Sequence, residues 1–500
     1  MNSDDILDAL NDSDFDYDSG RFNQSTFDFI DNRQLLCDLG PECEPIDVYN
    51  CFLCDDIIQI IVIETNRQAL KYKWNWTNTN EVEIKNFLAI VMYTGLVSYP
   101  KISDYWSRQP LFYNTFIPKI MPRNRFQELL RFFHVADNDT IVHGDRLGKI
   151  QPLVVKLVNN FKKYKVPGEN VVIDETMIPF RGRLSFRQYI PSKSARYGVK
   201  LFKICDNIGY TYDLIIYSGK NTTPTGNDLT CASKVVLQLM TDYLNKGRTL
   251  IMDNYYTSLN LAHILLSKET HMVGTVRKNS KGFPKDIMNS KLKKGEIKGK
   301  EDGKGVVVSI WKDKRDVRMV STRHGIEMVD TGKISRNGEK VKKPEAIVFY
   351  NKNKQGIDVS DQMNSYFTPL RKSIRWYHKV AFQLLLGTSV VNALVMYKEL
   401  TGKNIQISAF RQQIIEKLIK KKDEINISPS SRKHKLVQTN ETQGQSNKKK
   451  RRRCVRCYEK LVNERGRQVA QKICKTTITF CDSCENKPAF CLECFQNAHK

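Results

Sequence analysis

Two aspartates follow short apolar runs that have the composition of buried strands. Asp174 comes directly after residues 171–173 (VVI), and Asp253 comes directly after residues 250–252 (LIM). An α/β sheet presents its functional side chains at strand ends, so we expect both carboxylates at one sheet edge. Paired carboxylates bind hard divalent cations such as Mg²⁺. A single aspartate after a strand is more often a turn or capping residue, so spacing alone leaves both interpretations open.

The end of the chain carries a second set of candidate ligands. Six cysteines form pairs with two-residue gaps, and a histidine follows them: Cys454, Cys457, Cys481, Cys484, Cys491, Cys494 and His499. This density predicts one or two structural zinc ions, because thiolate and imidazole ligation can replace a core too small to fold alone. Two ions need eight ligands, and Cys474 is the candidate for the eighth. Cys51 and Cys54 have the same gap but lack a second pair, which favours a structural role.

A basic segment interleaved with aromatic residues follows the first aspartate. Its cations are Arg181, Arg183, Arg187, Lys193, Arg196 and Lys200. Cations bind phosphates and aromatic rings stack on unpaired bases, so the segment predicts DNA contact, against the alternative of an exposed basic hairpin without a ligand. The same interpretation applies to a second basic group, Arg371, Lys372 and Arg375.

The overall charge indicates a polyanionic partner. The net charge is +26 with a pI near 9.4, and nucleic acid is the first candidate because phosphate neutralisation releases condensed counterions. The charge is segregated, since residues 1–50 hold 13 acidic and 2 basic side chains. A hydrophobic content of 40% excludes a fully disordered protein. The acidic opening is unlike a secretory signal peptide.

Apolar periodicity divides the chain into segments. Helical spacing dominates residues 46–165, and strand-like runs then alternate with helical ones. The predicted fold class is therefore multidomain α/β. The predicted boundaries are an acidic disordered tail (1–45), a helical domain (46–165), the first part of an α/β core (166–265), a β-rich insertion (266–352), the second part of the core with helices (353–422), a flexible linker with a basic run (423–453) and a cysteine-rich zinc domain (454–500). The dimerisation or DNA-binding role expected of 46–165 and the catalytic role expected of the core are implied by the family resemblance described below.

Two further segments bear on location. Residues 380–397 are apolar enough to suggest a membrane helix, but the stretch is short for a span and holds four polar residues. We therefore expect a buried core helix and no membrane partner. The basic run at 448–453 precedes the cysteine pairs, which favours nuclear import or DNA-backbone contact over a solvated charge cluster.

Several long motifs, in order, resemble the piggyBac transposase family. The resemblance is carried by VVIDETMIPFRGRLSFRQYIPSKSARYGVKLFKICD at 171–206, TLIMDNYYTS at 249–258, GIDVSDQMNSY at 356–366 and RWYHK at 375–379. Shorter matches, ETN, DYWS and MPRNRF, lie upstream between residues 64 and 126. The likeness spans about residues 46–400, and motifs of this length in order are far more specific than any one acidic residue.

The resemblance implies an RNase H-like catalytic core of the DDE type, interrupted by the β-rich insertion. It implies that Asp174, Asp253 and Asp358 bind two catalytic Mg²⁺ ions, with Asp361 as an additional carboxylate. It also implies cut-and-paste DNA transposition through a hairpin intermediate, terminal-repeat and TTAA target DNA as partners, a homodimer, and a cysteine-rich domain that binds transposon ends. A nuclear location agrees with these implications.

Two other functions stay open. The first is a host protein descended from such an element that binds specific DNA without cutting it. The second is a zinc-containing chromatin reader whose central domain is only a scaffold. Four filled carboxylate positions favour the enzyme, but intact residues do not establish activity.

Overall fold

A nine-stranded mixed β-sheet lies at the centre of the larger of two units, 1–420 and 421–500. The computed structural model describes residues 26–32, 34–73, 75–219, 229–334, 338–419, 435–443, 446–482, 484 and 487–498. The strands of the larger unit are β1 (Gln34–Leu35), β2 (Lys165–Val166), β3 (Asn170–Pro179), β4 (Gln188–Tyr189), β5 (Tyr197–Cys205), β6 (Thr211–Ile216), β7 (Thr249–Met252), β8 (His271–Thr275), β9 (Ile297–Glu301), β10 (Val307–Lys312), β11 (Asp316–Ser321), β12 (Met328–Ile334) and β13 (Lys340–Pro344).

Helices surround this sheet. They are α1 (Pro45–Asn50), α2 (Asp55–Tyr72), α3 (Glu81–Leu96), α4 (Phe116–Ile120), α5 (Arg123–Phe132), α6 (Gln151–Tyr164), α7 (Cys231–Met240), α8 (Leu259–Leu266), α9 (Lys285–Met288), α10 (Glu345–Asn353), α11 (Gly356–Ser365), α12 (Trp376–Gln383), α13 (Ser389–Thr401) and α14 (Ile407–Leu418). Short 3₁₀ turns span Ile102–Trp106, Pro110–Phe112 and Thr241–Tyr243, and a π-helical turn, Leu384–Thr388, joins α12 to α13.

Five strands form a simple succession within the sheet. β3, β5 and β6 are antiparallel neighbours, β7 pairs in parallel with β3, and β8 pairs in parallel with β7. Every residue of β7 is buried, which explains its continuous apolar sequence, because a strand covered on both faces needs no alternation. Thr230 and Ser258 cap the helices on either side of β7 by accepting N–H groups of Ser233 and Leu261.

The expected β-rich insertion contains the predicted strands but is not a separate module. β10 and β11 form an antiparallel pair, and β11 also pairs with β8. The insertion therefore extends the central sheet in the order β8, β11, β10, β9. Only β12 and β13 form their own two-stranded sheet within the described part of this unit's insertion.

The N-terminal helices share one apolar core with the C-terminal helices. A single cluster of buried residues extends from Val48 to Leu418, and α14 packs against α1 and α3 while α13 packs against α1. Asn392 on α13 can be buried because both polar atoms of its side chain are hydrogen-bonded. Its Oδ1 accepts the Thr211 N–H, and its Nδ2 donates to the Thr211 carbonyl, both at 2.8 Å. Residues 46–165 are thus helical as predicted, but they share their core with the rest of the unit.

The apolar segment near residue 390 is a core helix. Residues Trp376–Thr401 form one continuous helix that is long and apolar enough to cross a membrane, with a mean hydropathy of 1.7 over its most apolar window. In this protein, 94% of that window is buried within the fold. This burial supports the core interpretation of residues 380–397.

The predicted acidic tail includes part of the fold. β1 pairs with β2, and Asp31 accepts a 2.6 Å bond from the fully buried Arg248 guanidinium. Burial opposes ionisation of Asp31, but Arg248 and Lys246 outweigh it and lower the pKa of this carboxyl. Residues 26–32 and 34–45, which the predicted tail includes, are described as part of this unit, and residues 1–25 lie outside the described part.

The smaller unit is built from short elements. Its strands are β14 (Leu436–Gln438), β15 (Thr442–Gln443), β16 (Ser446–Lys449), β17 (Arg452–Arg453), β18 (Thr476–Thr477) and β19 (Thr479–Cys481), and its helices are α15 (Val455–Arg465), α16 (Arg467–Ile473) and α17 (Leu492–Ala498). β14 pairs with β19, and β17 pairs with β18. The second half of the predicted linker, including part of its basic run, therefore contributes strands to this unit.

Candidate active site and candidate metal centre

The parallel pairing of β3 and β7 brings two aspartates to the same level of neighbouring strands. The last paired residues are Ile173 and Met252, and Asp174 and Asp253 follow them. Adjacent strands lie about 4.8 Å apart. Asp253 ends its strand as predicted, but Asp174 lies inside β3, because antiparallel pairing with β5 carries β3 on to Pro179.

A tight turn fixes the position of Asp253. Its Oδ1 accepts the Tyr255 N–H at 2.8 Å, and its carbonyl accepts the Thr257 hydroxyl at 2.9 Å. The turn interpretation of this aspartate is therefore correct, and it does not exclude the ligand interpretation. A carboxylate held by its own turn loses little conformational freedom when it binds a cation.

Helix α11 carries the other two carboxylates. Asp358 and Asp361 are three residues apart, so they share a helix face, and α11 packs against β3 and β5. The helix approaches the end of β5 closely because it begins with Gly356, where a Cβ atom would lie 2.0 Å from the Asp206 carbonyl oxygen. Asp361 Oδ1 accepts the Thr176 hydroxyl of β3 at 2.7 Å.

Burial makes this site unfavourable for negative charge. Desolvation raises the pKa of Asp174 to about 7, and Glu175 and Asp253 add to the effect, while Lys193 opposes it. Desolvation also raises the pKa of Asp253. Burial raises the pKa of Tyr350 to about 12, and Asp253, Asp174 and Asp358 contribute to that shift. Tyr350 packs against the apolar cluster of Val172, Cys205, Ile251 and Ile357, on the elements that precede the carboxylates. Because negative charge is unfavourable here, the site favours a bound cation.

Two lysines act as internal counter-charges to the carboxylates. Lys203, whose side chain is fully buried, lies 3.4 Å from Asp361 Oδ1. Lys193 donates a 2.9 Å bond to the Glu175 carbonyl. Burial would lower the pKa of Lys193, but the charges of Asp174, Glu175, Asp361 and Asp358 outweigh burial and raise it.

Glu175 belongs to a separate set of contacts beside Asp174. Its carboxylate accepts the Tyr256 hydroxyl at 2.9 Å and lies 3.6 Å from Lys200 Nζ. Burial raises the pKa of Glu175, but Lys200 and Lys193 reverse the shift and lower it. These contacts agree with leaving Glu175 out of the predicted ligand set. Lys200 is buried against Glu175, which does not fit the exposed phosphate contact expected of it.

The carboxylate site fits a hard divalent cation by its donor chemistry. All four candidate side chains offer oxygen, the ligand that Mg²⁺ prefers. Among the described residues, no three of these carboxylates have ligand oxygens within 4.8 Å of one another. Two ions roughly 3.5–4 Å apart need a ligand ring wider than a single-ion site.

The basic segment after β3 presents several cations to solvent. Arg181, Arg183, Arg187 and Arg196 are exposed, whereas Lys193 is half-buried. Arg187 donates to the Arg181 and Gly182 carbonyls and lies 5.2 Å from the Tyr197 ring, so it shapes the segment as well. Arg181, Arg183 and Arg196 are the better placed for phosphate contact.

The second basic group borders a cavity of about 600 Å³. Arg371, Lys372 and Arg375 lie in the segment before α12 that forms one wall of this cavity. Lys372 is exposed, and Arg375 donates to the Arg131 carbonyl. Trp376 packs edge-on against Phe186 of the basic segment, with ring centroids 5.2 Å apart, so the two basic groups are neighbours.

Four cysteines of the smaller unit form a candidate metal centre. The ligand atoms of Cys454, Cys457, Cys491 and Cys494 lie within 4.8 Å of one another. The Sγ atoms of Cys454 and Cys491 are 3.8 Å apart, and those of Cys457 and Cys494 are 3.5 Å apart. A tetrahedral zinc with Zn–S bonds of about 2.3 Å has S···S edges of about 3.8 Å, so the group fits zinc.

The remaining predicted zinc ligands are divided. Cys481 and Cys484 are neighbours. Burial raises the pKa of the Cys484 thiol, and contact with Cys481 raises it further. Cys474 lies elsewhere, with its Sγ 3.8 Å from the Cys454 carbonyl. His499 lies outside the described residues. The first and third cysteine pairs therefore share one centre, an arrangement that the spacing left open.

Sequence reasoning missed several residues of the carboxylate site. Lys203 is a charged residue inside the apolar run 201–205, and a buried charge of this kind is a signal of a partner. Thr176 follows Asp174 by two residues, so strand alternation places both on one face. Tyr350 and Tyr256 had no such signal, because both are brought in by tertiary packing.

Fold and site define an α/β protein with a carboxylate cluster suited to divalent cations. A family model described as "Transposase IS4" matches residues 44–394, and the chain belongs to the piggyBac-type transposase family. Human PiggyBac transposable element-derived proteins 3 and 2 are 28% and 26% identical over 74% and 67% of this chain. The chain spans 64% and 58% of their lengths.

A solved structure gives the same relationship. The cryo-EM structure of a piggyBac transposase synaptic complex with hairpin DNA is similar to this chain with a TM-score of 0.68 and 26% sequence identity. The match covers 78% of this chain and 83% of that one. The resemblance inferred from the sequence motifs is thereby confirmed.

Proposed function

We propose that this protein is a DNA transposase that cuts and joins DNA strands with divalent metal ions. The observation that carries the proposal is the convergence of Asp174 and Asp253, from adjacent parallel strands, with Asp358 and Asp361 from a helix packed on β3. Membership of the transposase family supports the same conclusion. No general-base histidine is required, since metal ions lower the pKa of bound water.

The proposed catalytic core has an RNase H-like fold. Three antiparallel strands followed by two parallel strands, with helices between them, support this assignment. Asp174, Asp253 and Asp358 would hold two Mg²⁺ ions, which supply charge stabilisation at the reacting phosphate when bound. Thr176 and Lys203 orient Asp361, and Glu175 with Tyr256 and Lys200 supports β3 beside Asp174.

Double-stranded DNA is the proposed substrate. The net charge of +26 and the exposed arginines beside the carboxylates support it. The proposed reaction is cut-and-paste transposition at TTAA targets with a hairpin intermediate, carried out by a homodimer in the nucleus. The similar transposase structure contains hairpin DNA, which supports the hairpin step.

We propose that the smaller unit is a zinc-dependent DNA-binding module. One zinc would be held by Cys454, Cys457, Cys491 and Cys494, and a second would use Cys481 and Cys484 with further ligands, for which His499 is a candidate. The exposed Arg451, Arg452 and Arg453 beside β18 favour DNA over a chromatin peptide as the partner.

A second candidate function is specific DNA binding without cleavage. The human relatives are named as derived from a transposable element, which favours this alternative over the chromatin reader. The two functions differ only in whether the carboxylates act, so a charge-removing substitution separates them.

Asp253→Asn tests the proposal because it keeps the side-chain shape and the turn contact to Tyr255 while removing the ligand charge. We expect unchanged affinity for a transposon-end duplex and a loss of Mg²⁺-dependent nicking by a factor on the order of 10³. Asp145→Asn is the matched control, since Asp145 is an exposed aspartate whose Oδ1 also caps a turn, by accepting the Leu147 and Gly148 N–H groups. Nicking by Asp253→Asn at the parent's rate would remove the metal assignment, whereas an inactive parent that binds DNA would favour the non-cleaving alternative.

A further inference from the structure

The cavity beside the second basic group has walls of two kinds. Its floor is apolar and includes Val91, Ile102, Phe126, Leu130 and Phe382. Its volume of about 600 Å³ lies within the range of small-ligand pockets, roughly 300–1,000 Å³. A cavity of this size and lining can take a flat ring.

The polar part of the lining carries only positive charge. Arg131, Arg371, Lys372, Arg375 and Lys379 line the cavity, and no aspartate or glutamate is among the described residues that line it. His378 also lines it, but burial lowers the pKa of this imidazole to about 3, so it is neutral. The cavity therefore suits an anion.

One of the cations, Lys379, is buried, and a second, Arg371, is half-buried with one unsatisfied donor. Lys379 is 8% exposed, and burial lowers its pKa with no carboxylate to oppose the shift. Arg371 donates through one terminal nitrogen to the Tyr105 hydroxyl, but its Nε atom is buried without a hydrogen-bond partner. A buried cation and a buried unsatisfied donor both cost free energy, and an anionic ligand group would reduce that cost.

We propose that this cavity binds one unpaired nucleotide of a DNA end, with the base on the apolar floor and the phosphate at Lys379 and Arg371. The inference rests on the proposed function, because DNA is the source of the nucleotide. The base ring would pack against the apolar floor, and the phosphate would be balanced by the five cations. Trp376 ties this wall to the basic segment at Phe186, so the cavity lies next to the proposed DNA path.

An unpaired nucleotide is the favoured occupant for an energetic reason. Turning a paired base out of a duplex costs a few kcal/mol, whereas a base in a single-stranded extension is already free. The site therefore selects DNA ends with single-stranded extensions over blunt ends. Stacking and phosphate contact predict a preference of about tenfold.

The test compares the affinity of the full-length protein for a blunt duplex and for the same duplex with a short single-stranded extension. Lys379→Met removes the buried cation, and Gln127→Glu adds a negative charge at an exposed position of the cavity rim on α5. Lys281→Met, at an exposed site outside the cavity, is the matched control. We expect the tenfold preference in the parent and in Lys281→Met, and its loss in the other two variants, whose thermal stability should match that of the parent.

A second arm uses deoxyadenosine monophosphate and an oligo-aspartate peptide as free ligands, with the melting temperature as readout. Stabilisation by the mononucleotide that disappears in Lys379→Met supports the site. Stabilisation by the peptide alone would assign the cavity to an acidic protein segment and overturn the proposal, as would equal preferences in parent and variants. A parent that keeps the Lys379-dependent preference but does not nick DNA would refute the proposed function and leave this site intact.

Discussion

The two candidate metal centres of this protein are built in opposite ways. The carboxylates stand 79 and 105 residues apart, at Asp174, Asp253 and Asp358, and a large apolar core places them on β3, β7 and α11. In the smaller unit, three of the four buried residues of the apolar cluster are themselves cysteines, Cys454, Cys481 and Cys491. In the smaller unit, the candidate metal ligands therefore also form most of the buried core.

This difference predicts how each centre depends on metal. The larger unit positions its carboxylates through strand pairing and helix packing, and Lys193 and Lys203 reduce their mutual repulsion. The smaller unit has little apolar area to replace the metal, so its ligation energy is also its folding energy. In the larger unit the fold therefore forms the metal site, whereas in the smaller unit the metal site stabilises the fold.

Removing zinc should have the largest effect. Structural zinc contributes on the order of 10 kcal/mol in modules of this kind, so chelation or Cys457→Ser should unfold residues 435–498 and leave the larger unit folded. Hydrogen exchange on the full chain measures both units at once. Cys231→Ser, at an exposed cysteine of the larger unit, is the control. Continued protection of the amides of residues 435–498 in the metal-free protein would contradict the prediction that this unit needs metal to fold.

The carboxylate site should behave in the reverse manner, gaining stability when a ligand is lost. The folded-state pKa of Asp174, about 7, lies above its usual 3.8, so the metal-free fold binds an extra proton between these values and loses stability as pH rises through this window. Asp174→Asn should therefore stabilise the metal-free protein above pH 7 by on the order of 3 kcal/mol. Urea unfolding in EDTA at acidic and alkaline pH measures the difference, and an Asn variant with the parent's pH profile would contradict the burial of this charge.

Surface cations should contribute to DNA affinity without affecting either centre. Replacing Arg181 and Arg183 with alanine should reduce the slope of log affinity against log salt by about 1.8, since each phosphate contact contributes about 0.9. Titrations of duplex DNA at several salt concentrations give the slope. An unchanged slope would place the DNA path away from this segment.

Lys193 should give the smallest effect. Lys193→Met removes a counter-charge, so the metal-free protein should lose about 1 kcal/mol of stability and the stabilisation by Ca²⁺ should grow by a similar amount. Lys281→Met serves again as the control. If Lys193 is instead a phosphate contact, as the sequence suggested, the variant will lower DNA affinity and leave the response to Ca²⁺ unchanged.

Local patterns predicted much of this structure. The apolar runs before Asp174 and Asp253 formed adjacent parallel strands, and the segment 266–352, expected to be β-rich, contains the hairpin of β10 and β11, because burial on one or two faces leaves a direct mark on sequence. The cysteine pairs also indicated that the end of the chain forms a separate, cysteine-rich unit. The motif resemblance supplied Asp358 and Asp361, which lie on a helix without a strand signal.

Long-range packing was not predictable in the same way. Nothing local indicates that β11 pairs with β8, since any exposed strand edge could accept it. Lys200 and Arg181 look alike in the sequence, but β5 buries the first against Glu175 and the basic segment exposes the second. The partner of a charge depends on the tertiary fold, and composition gives only its sign.

The bond between Asp31 and Arg248 sets a limit on how far the chain can be shortened from its beginning. Arg248 is fully buried just before β7, and Asp31 is the carboxylate that pairs with it. A shortened chain that starts after residue 31 would leave this buried guanidinium without its carboxylate and with only backbone carbonyls of Pro167, Gly168 and Tyr243 as acceptors, and breaking a buried ion pair typically costs about 3–5 kcal/mol. The acidic beginning of the chain thus includes a part, around Asp31, that supports the strand leading to Asp253.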